Sequence, residues 1–273
     1  MKRLFVLLLA FSIISFGVVS CGGDDSPVAD MDQDSQDDGD QDINDGGSTA
    51  VSTPTSAFDE FNSESVTVSF DGDEITIVST ALPNHTSPYW TTDSELYIDP
   101  ILASEASMSP GFIQESSYTL TVSAAPEIAS SSSATGLGAI GISITGVPIY
   151  NQSEGPTDVT ESTASGFDWA GGHSGPDGYH YHIEARDVSE NDGVISYDDE
   201  KLVGIMADGF LLYGRREVDG SYPDDLDESG GHWGTTQHSD EPIYHYHIIN
   251  EFYLSDYIIL FGVDLQGTPS NIM

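Results

Sequence analysis

The residues best suited to chemistry in this chain come in two matching groups. Tyr179-His180-Tyr181-His182 recurs as Tyr244-His245-Tyr246-His247, and each copy is followed by an isoleucine, Ile183 and Ile248. Each is preceded by Gly-Gly-His, ending at His173 in the first copy and His232 in the second. Seven of the eight histidines lie between His173 and His247. On a strand, successive side chains point to opposite faces. His180 and His182 therefore share one face and Tyr179 and Tyr181 the other, and His245 and His247 repeat the arrangement. Two imidazoles at that spacing can reach one metal ion, and a third ligand completes an open site. His173 and His232 suit that role, because the glycines before them permit a close backbone approach.

Two arrangements follow from this reading. Each half makes its own three-histidine site, or the two strands pair and four histidines converge on one ion. Nitrogen and oxygen donors without thiolate favour copper, zinc or iron. The tyrosines either pack in the core or orient the imidazole rings by hydrogen bonding. The competing reading is a hydrogen-bonded ladder of Tyr and His with no ion. The repetition of the motif, each time with its own Gly-Gly-His, favours metal.

Asp208, in Ala207-Asp208-Gly209, is read as a turn residue that could also supply a carboxylate ligand or a base beside the metal, and it joins the six histidines as a candidate. His85 reads as a satisfied polar residue and His238 as part of a polar loop. Asp225, Asp227 and Glu228 read as solvated. No Gly-x-Ser-x-Gly elbow, phosphate-binding loop or dinucleotide fingerprint occurs, and no catalytic residue is assigned. Three functional classes stay open: metal capture, a metalloenzyme using the same histidines, and an adhesion or carbohydrate-binding module with Trp90, Trp169 and Trp233 as stacking platforms.

The elements that must carry these residues read as strands. Ser65–Phe70, Glu74–Val78 and Tyr118–Val122 alternate and are rich in β-branched residues, with Asp71-Gly72-Asp73 as a turn. Gly141-Ile142, Gly204-Ile205 and Gly262-Val263 are each followed by a second glycine five residues after the first. Each reads as a hairpin, which suggests a fold assembled from repeated units. No stretch keeps a helical stripe. The expected fold is mainly β, a sheet, sandwich or barrel-like domain built from repeated hairpins with few helices.

Residues 1–20 read as a secretory signal, with Lys2 and Arg3 ahead of an apolar run too short for a membrane span. The run ends Val18-Val19-Ser20-Cys21, a bacterial lipobox pattern that makes Cys21 the lipidated first mature residue. Cys21 is the only cysteine, which rules out an internal disulfide and a thiolate cluster. Residues 21–57 read as a disordered acidic tether, because its aspartates repel one another and nothing in it can be buried. A calcium loop around Asp30–Asp34 lacks the glycine and closing glutamate it would need. The domain is expected over 58–273, with an upstream half 58–150 and a histidine-rich half 151–273.

Without Lys2 and Arg3, four basic residues face 46 acidic ones. Such a chain repels nucleic acid and anionic lipid surfaces. The expected location is extracytoplasmic, anchored by lipid to the outer membrane or cell surface of a Gram-negative bacterium.

At these motifs the chain resembles the YHYH domain family. The similarity runs through Leu82-Pro83-Asn84-His85, Gly146–Asn151 and Phe167–His173. It continues through the first motif, Val203–Gly214, Leu226-Asp227-Glu228 and the second motif, and so covers nearly all of Phe58 to Met273. The resemblance implies a secreted or surface protein, often a lipoprotein, and implies no particular activity. Many members carry cysteines where this chain has Ala170 and Ser229. If those are disulfides this chain does without them, and if they are ligands its site differs.

Overall fold

The computed structural model describes residues 50–101, 111–193 and 195–273. The signal segment, Cys21 and most of the acidic stretch lie outside these residues. Ordered packing begins upstream of Phe58: Val51 is buried, and a 3-10 helix over Thr55–Glu60 buries Ala57 and Phe58.

The alternating runs form an antiparallel sheet of β1 (Val66–Asp71), β2 (Glu74–Ser79) and β3 (Tyr118–Ser123), in that order. Gly72, at φ 62°, closes the β1–β2 turn. Its apolar face carries Ile75, Ile77, Leu120 and Val122.

The chain then builds β4 (Gly141–Ser143), β5 (Pro148–Ile149) and a small hairpin of β6 (Ser153–Glu154) and β7 (Thr157–Asp158). A four-residue helix, α1 (Glu161–Ala164), is capped by the Thr160 hydroxyl. It leads to β8 (Gly172–Gly175) and β9 (Gly178–Tyr181). β10 (Leu202–Met206), β11 (Leu211–Tyr213), β12 (Gly231–Thr236) and β13 (Ser239–His247) follow.

Apart from β6 and β7, these strands make one open sheet in the order β12-β13-β11-β10-β4-β5-β9-β8. That order is a palindrome. The hairpin β4–β5 sits parallel to β9, whose hairpin partner is β8. The hairpin β10–β11 sits parallel to β13, whose hairpin partner is β12. The halves meet where β4 pairs antiparallel with β10. This sheet is therefore a duplicated unit about a local two-fold axis normal to it, and the described residues are mainly β as expected, with no closed barrel among them. The third glycine copy, at Gly262, makes no hairpin of this sheet; Leu265 instead bridges to Ser133.

The Gly-Ile pairs explain themselves at this seam. A Cβ on Gly204 would strike the Ile142 carbonyl, and one on Gly141 would come within 2.9 Å of the Ile205 carbonyl oxygen. The adjoining isoleucines face the three-stranded sheet together with Leu211 and Tyr213. The opposite face buries Ile149, Met206, Leu212 and the motif tyrosines beneath Trp169, Leu260 and Phe261. The division expected at residue 150 is accordingly not a structural one, because β4–β5 belongs to the histidine-bearing sheet.

Gly204→Ala is expected to lower the unfolding free energy by about 1–3 kcal/mol through forced backbone displacement. The denaturant midpoint of the variant measures it.

Candidate metal centres

The register fixes which way the motif points. Ile149 pairs with Tyr181, and Leu212 with Tyr246, so these tyrosines turn to the aliphatic core. His180, His182, His245 and His247 turn to the other face. Antiparallel pairing sets His173 opposite His180 and His232 opposite His245. Each half thus gathers its own three histidines, and the four-histidine arrangement does not occur. Strands β11, β10, β4 and β5 stand between the two groups.

Each triad is joined by a carboxylate. Glu154, His173, His180 and His182 offer one donor atom each within 4.8 Å of one another, and so do Glu217, His232, His245 and His247. In the first group, Glu154 Oε2 lies 3.3 Å from His173 Nε2 and 3.0 Å from His182 Nε2. In the second, Glu217 Oε1 lies 3.1 Å from His232 Nε2 and 3.8 Å from His247 Nε2. His245 Nε2 and His247 Nε2 face each other at 2.9 Å. A metal–nitrogen bond of about 2.05 Å gives donor separations of about 3.4 Å in a tetrahedron and about 2.9 Å between neighbours in an octahedron. Four of the five spacings fall in that range, and the 3.8 Å from Glu217 to His247 is longer.

Hydrogen bonding on the far side of the rings sets the tautomers. His180 Nδ1 donates to Gly178 O at 3.0 Å, and His245 Nδ1 to Ile243 O at 2.9 Å. His182 Nδ1 donates to Asn151 O, and His247 Nδ1 to Gly214 O, both at 2.6 Å. Each Nε2 is left with its lone pair aimed inward. The Nε2 atoms of His173, His180, His182 and His232 are buried with no aligned hydrogen-bond partner. A buried polar atom in that state is costly unless something fills the role.

Three of the rings are also shifted toward the neutral form. Burial, reinforced by His247, pushes His245 down to about 3, and burial pushes His247 down to about 4. His180 is driven well down by burial and then by His173 and His182. The two carboxylates diverge. His173 and His182 beside Glu154 hold it far below the usual carboxylate range. Burial raises Glu217, and the charges of Asp225 and Asp219 outweigh part of what His232 offers.

Two aspartates brace the Gly-Gly-His loops in the same way. Asp168 Oδ2 accepts from Tyr179 Oη at 2.6 Å, and its Oδ1 from the Ala170 and Gly172 amides. Asp227 Oδ2 accepts from Tyr244 Oη at 2.8 Å, and its Oδ1 from the Ser229 and Gly231 amides. Gly171 and Gly230 have positive φ at the turn, and a Cβ on Gly171 would collide with the Ile183 carbonyl. Asp227 is thus a bracing residue rather than a merely solvated one. Asp225 receives a hydrogen bond from His232 Nδ1 at 2.6 Å.

Asp208 joins neither group. Its carboxylate accepts from Tyr246 Oη at 2.6 Å and from the Gly267 and Phe210 amides, on the tyrosine face of the sheet. Thr145, the equivalent position in the first half, serves Tyr181 Oη in the same way at 3.1 Å. His85 pairs with Tyr181 Oη and the Thr86 carbonyl. His238 lies between Tyr213 Oη and Glu60. Trp169 is buried, Trp90 is half-buried and Trp233 is 51 % exposed, so the three do not share an exposed face.

Glu154 and Glu217 escaped the sequence reading because 46 acidic residues mask any two of them. A signal was present: each follows the repeat tyrosine, Tyr150 or Tyr213, by four residues. Gly175 and Gly234 were a second signal, each two residues after the leading histidine. A Cβ on Gly175 would lie 2.7 Å from His180 Cε1, and one on Gly234 would lie 3.0 Å from His232 Nε2.

Residues 119–222 match the family whose description is YHYH protein. The match covers β3 and all four donors of the first group but ends before His232, so it is narrower than the motif-by-motif resemblance. No curated protein and no solved structure matches the chain.

Gly175→Ala should displace His180 and weaken zinc binding at the first centre about 10–100-fold, leaving the second unchanged. Titration against a competing chromogenic chelator reads both affinities.

The histidine shifts carry a sign. His245 and His247 sit below their ordinary value of 6.5 in the folded chain. The unfolded chain therefore binds more protons from pH 6.5 down to about 3, and folded stability falls as pH drops through that window. Melting temperatures in chelator between pH 7.5 and 4 should fall more steeply for the wild type than for a His245→Ala, His247→Ala variant.

Proposed function

For a chain that carries a YHYH domain, we propose a two-centre transition-metal-binding protein. One ion is held by Glu154, His173, His180 and His182, and the other by Glu217, His232, His245 and His247. The observation that carries this reading is the convergence, twice over, of three lone-pair nitrogens and a carboxylate, with no aligned hydrogen bond to occupy four of those nitrogens. An imidazole–carboxylate set with no sulfur suits zinc first and copper or iron next. When bound, the ion supplies Lewis acidity and ties two loops to the sheet. The residues of the chain do the rest: they present buried imidazoles and fix ring tautomers through backbone carbonyls.

Asp208 is at neither centre and supplies no base there; capture or storage of the ion is the role proposed. The biological setting proposed for it is extracytoplasmic, with the chain tethered to a membrane through lipid on Cys21. The acidic surface then concentrates cations around the two centres without competing for specific binding.

Elemental mass spectrometry on protein purified without chelator tests the reading. Two equivalents are expected in the wild type, one in a His180→Ala, His182→Ala variant, and none when His245→Ala and His247→Ala are added. Removal of the ions should lower stability by about 2.7 kcal/mol per site at 100-fold excess over Kd. A wild type that neither carries nor takes up zinc, copper or iron would sink the proposal.

A further inference from the structure

The duplication is not symmetrical in what surrounds the histidines. At the first centre every ring is covered by an aromatic face. Phe167 stacks on His173 at 4.7 Å and 26°, and on His182 at 5.2 Å and 9°. Tyr150 stacks on His180 at 3.9 Å and 17°. The tip of the β8–β9 hairpin is pinned from outside, because Tyr118 Oη donates to Asp177 O at 2.6 Å.

The second centre lacks these covers. Tyr213, the counterpart of Tyr150, meets His245 edge-on at 5.2 Å and 81°. Its hydroxyl is drawn off to Thr236 and His238. Leu226 stands at the position equivalent to Phe167. The β12–β13 hairpin is also longer, with thirteen residues from His232 to His245 against seven from His173 to His180.

No water-sized void lies directly among Glu217, His245 and His247, but two clefts border the second centre. A cleft of about 360 Å³ reaches His232 alongside Trp233, and one of about 270 Å³ reaches His247 alongside Phe252 and Tyr253. Trp233 and Phe252 are 51 % and 71 % exposed. Electrostatics differ as well. Asp225, itself largely in solvent, holds His232 Nδ1 and adds a second carboxylate charge beside Glu217. One feature runs the other way: the Glu154 side chain is more exposed than that of Glu217, 31 % against 18 %. An ion leaving the first centre would pass that carboxylate, but it must first part from three ring-covered imidazoles.

We infer that the two centres divide the work: the second exchanges its ion and admits a small exogenous ligand, while the first retains its ion as a structural clamp. This rests on the metal-binding reading above and extends it. The exogenous ligand is a small donor that approaches from the clefts bordered by His232 and His247.

The test uses zinc-loaded protein mixed with a chromogenic chelator in stopped flow. Two release phases are expected, separated by about tenfold or more. The fast phase should vanish in His245→Ala, His247→Ala and the slow phase in His180→Ala, His182→Ala. Phe167→Leu, which keeps apolar bulk but removes the stacked ring, should speed the slow phase and leave the fast one alone. In cobalt(II)-loaded protein, azide should change the visible spectrum of the His180→Ala, His182→Ala variant and leave that of the His245→Ala, His247→Ala variant unaltered. A single phase releasing two equivalents, or a fast phase lost with His180 and His182, would overturn the inference while leaving metal binding intact. Protein that takes up no zinc would overturn both.

Discussion

Six buried imidazoles, gathered in threes beside one carboxylate each, are the constraint on which the rest of the structure depends. Burying polar nitrogen without a partner is unfavourable, and placing His245 Nε2 and His247 Nε2 within 2.9 Å of each other more so. The chain commits backbone carbonyls at Asn151, Gly178, Gly214 and Ile243 to hold Nδ1, and thereby fixes Nε2 where a cation could satisfy it. The glycines at 171, 175, 230 and 234 keep backbone and methyl groups out of the way. Most features that look decorative in the sequence are consequences of this one arrangement.

The sheet supplies the rigidity that such an arrangement needs. The motif tyrosines lock its back face into an aromatic core with Trp169, Phe210 and Phe261. Their hydroxyls are spent on Asp168, Asp208, Asp227, Thr145 and His85, so each tyrosine is both a packing element and a hydrogen-bond anchor. The three-stranded sheet covers the middle of the front face through Ile142, Ile205 and Tyr213. The two centres lie on either side of that cover. A site built on strands in this way is held more firmly than one on loops.

Duplication with divergence gives the molecule its functional interest. The two halves share topology, register, ligand type and tautomer control, yet differ in aromatic cover and in carboxylate charge. Where one half has Gly166 and Phe167, the other has Asp225 and Leu226. With these two differences, Phe167 covers His173 in one half and Asp225 holds His232 in the other.

The sequence by itself determined a good deal. Period-two alternation identified β1, β2 and β3, and the repeated Tyr-His-Tyr-His with its Gly-Gly-His pointed to the six histidines that the sheet gathers in two groups, because strand geometry ties spacing to face. The glycine repeat announced the hairpins at Gly141 and Gly204. What only the tertiary structure decided was pairing. Nothing local says that β5 lies beside β9 rather than that the two motif strands meet, and this choice separates two centres from one. The one local signal for Glu154 and Glu217, their place four residues after a repeat tyrosine, does not reveal their role, which depends on loops that return to the sheet. The same holds for Asp208, whose turn sequence fits a ligand as well as it fits its actual partner, Tyr246. Its position on the opposite face of the sheet was settled by the register of β11 against β13.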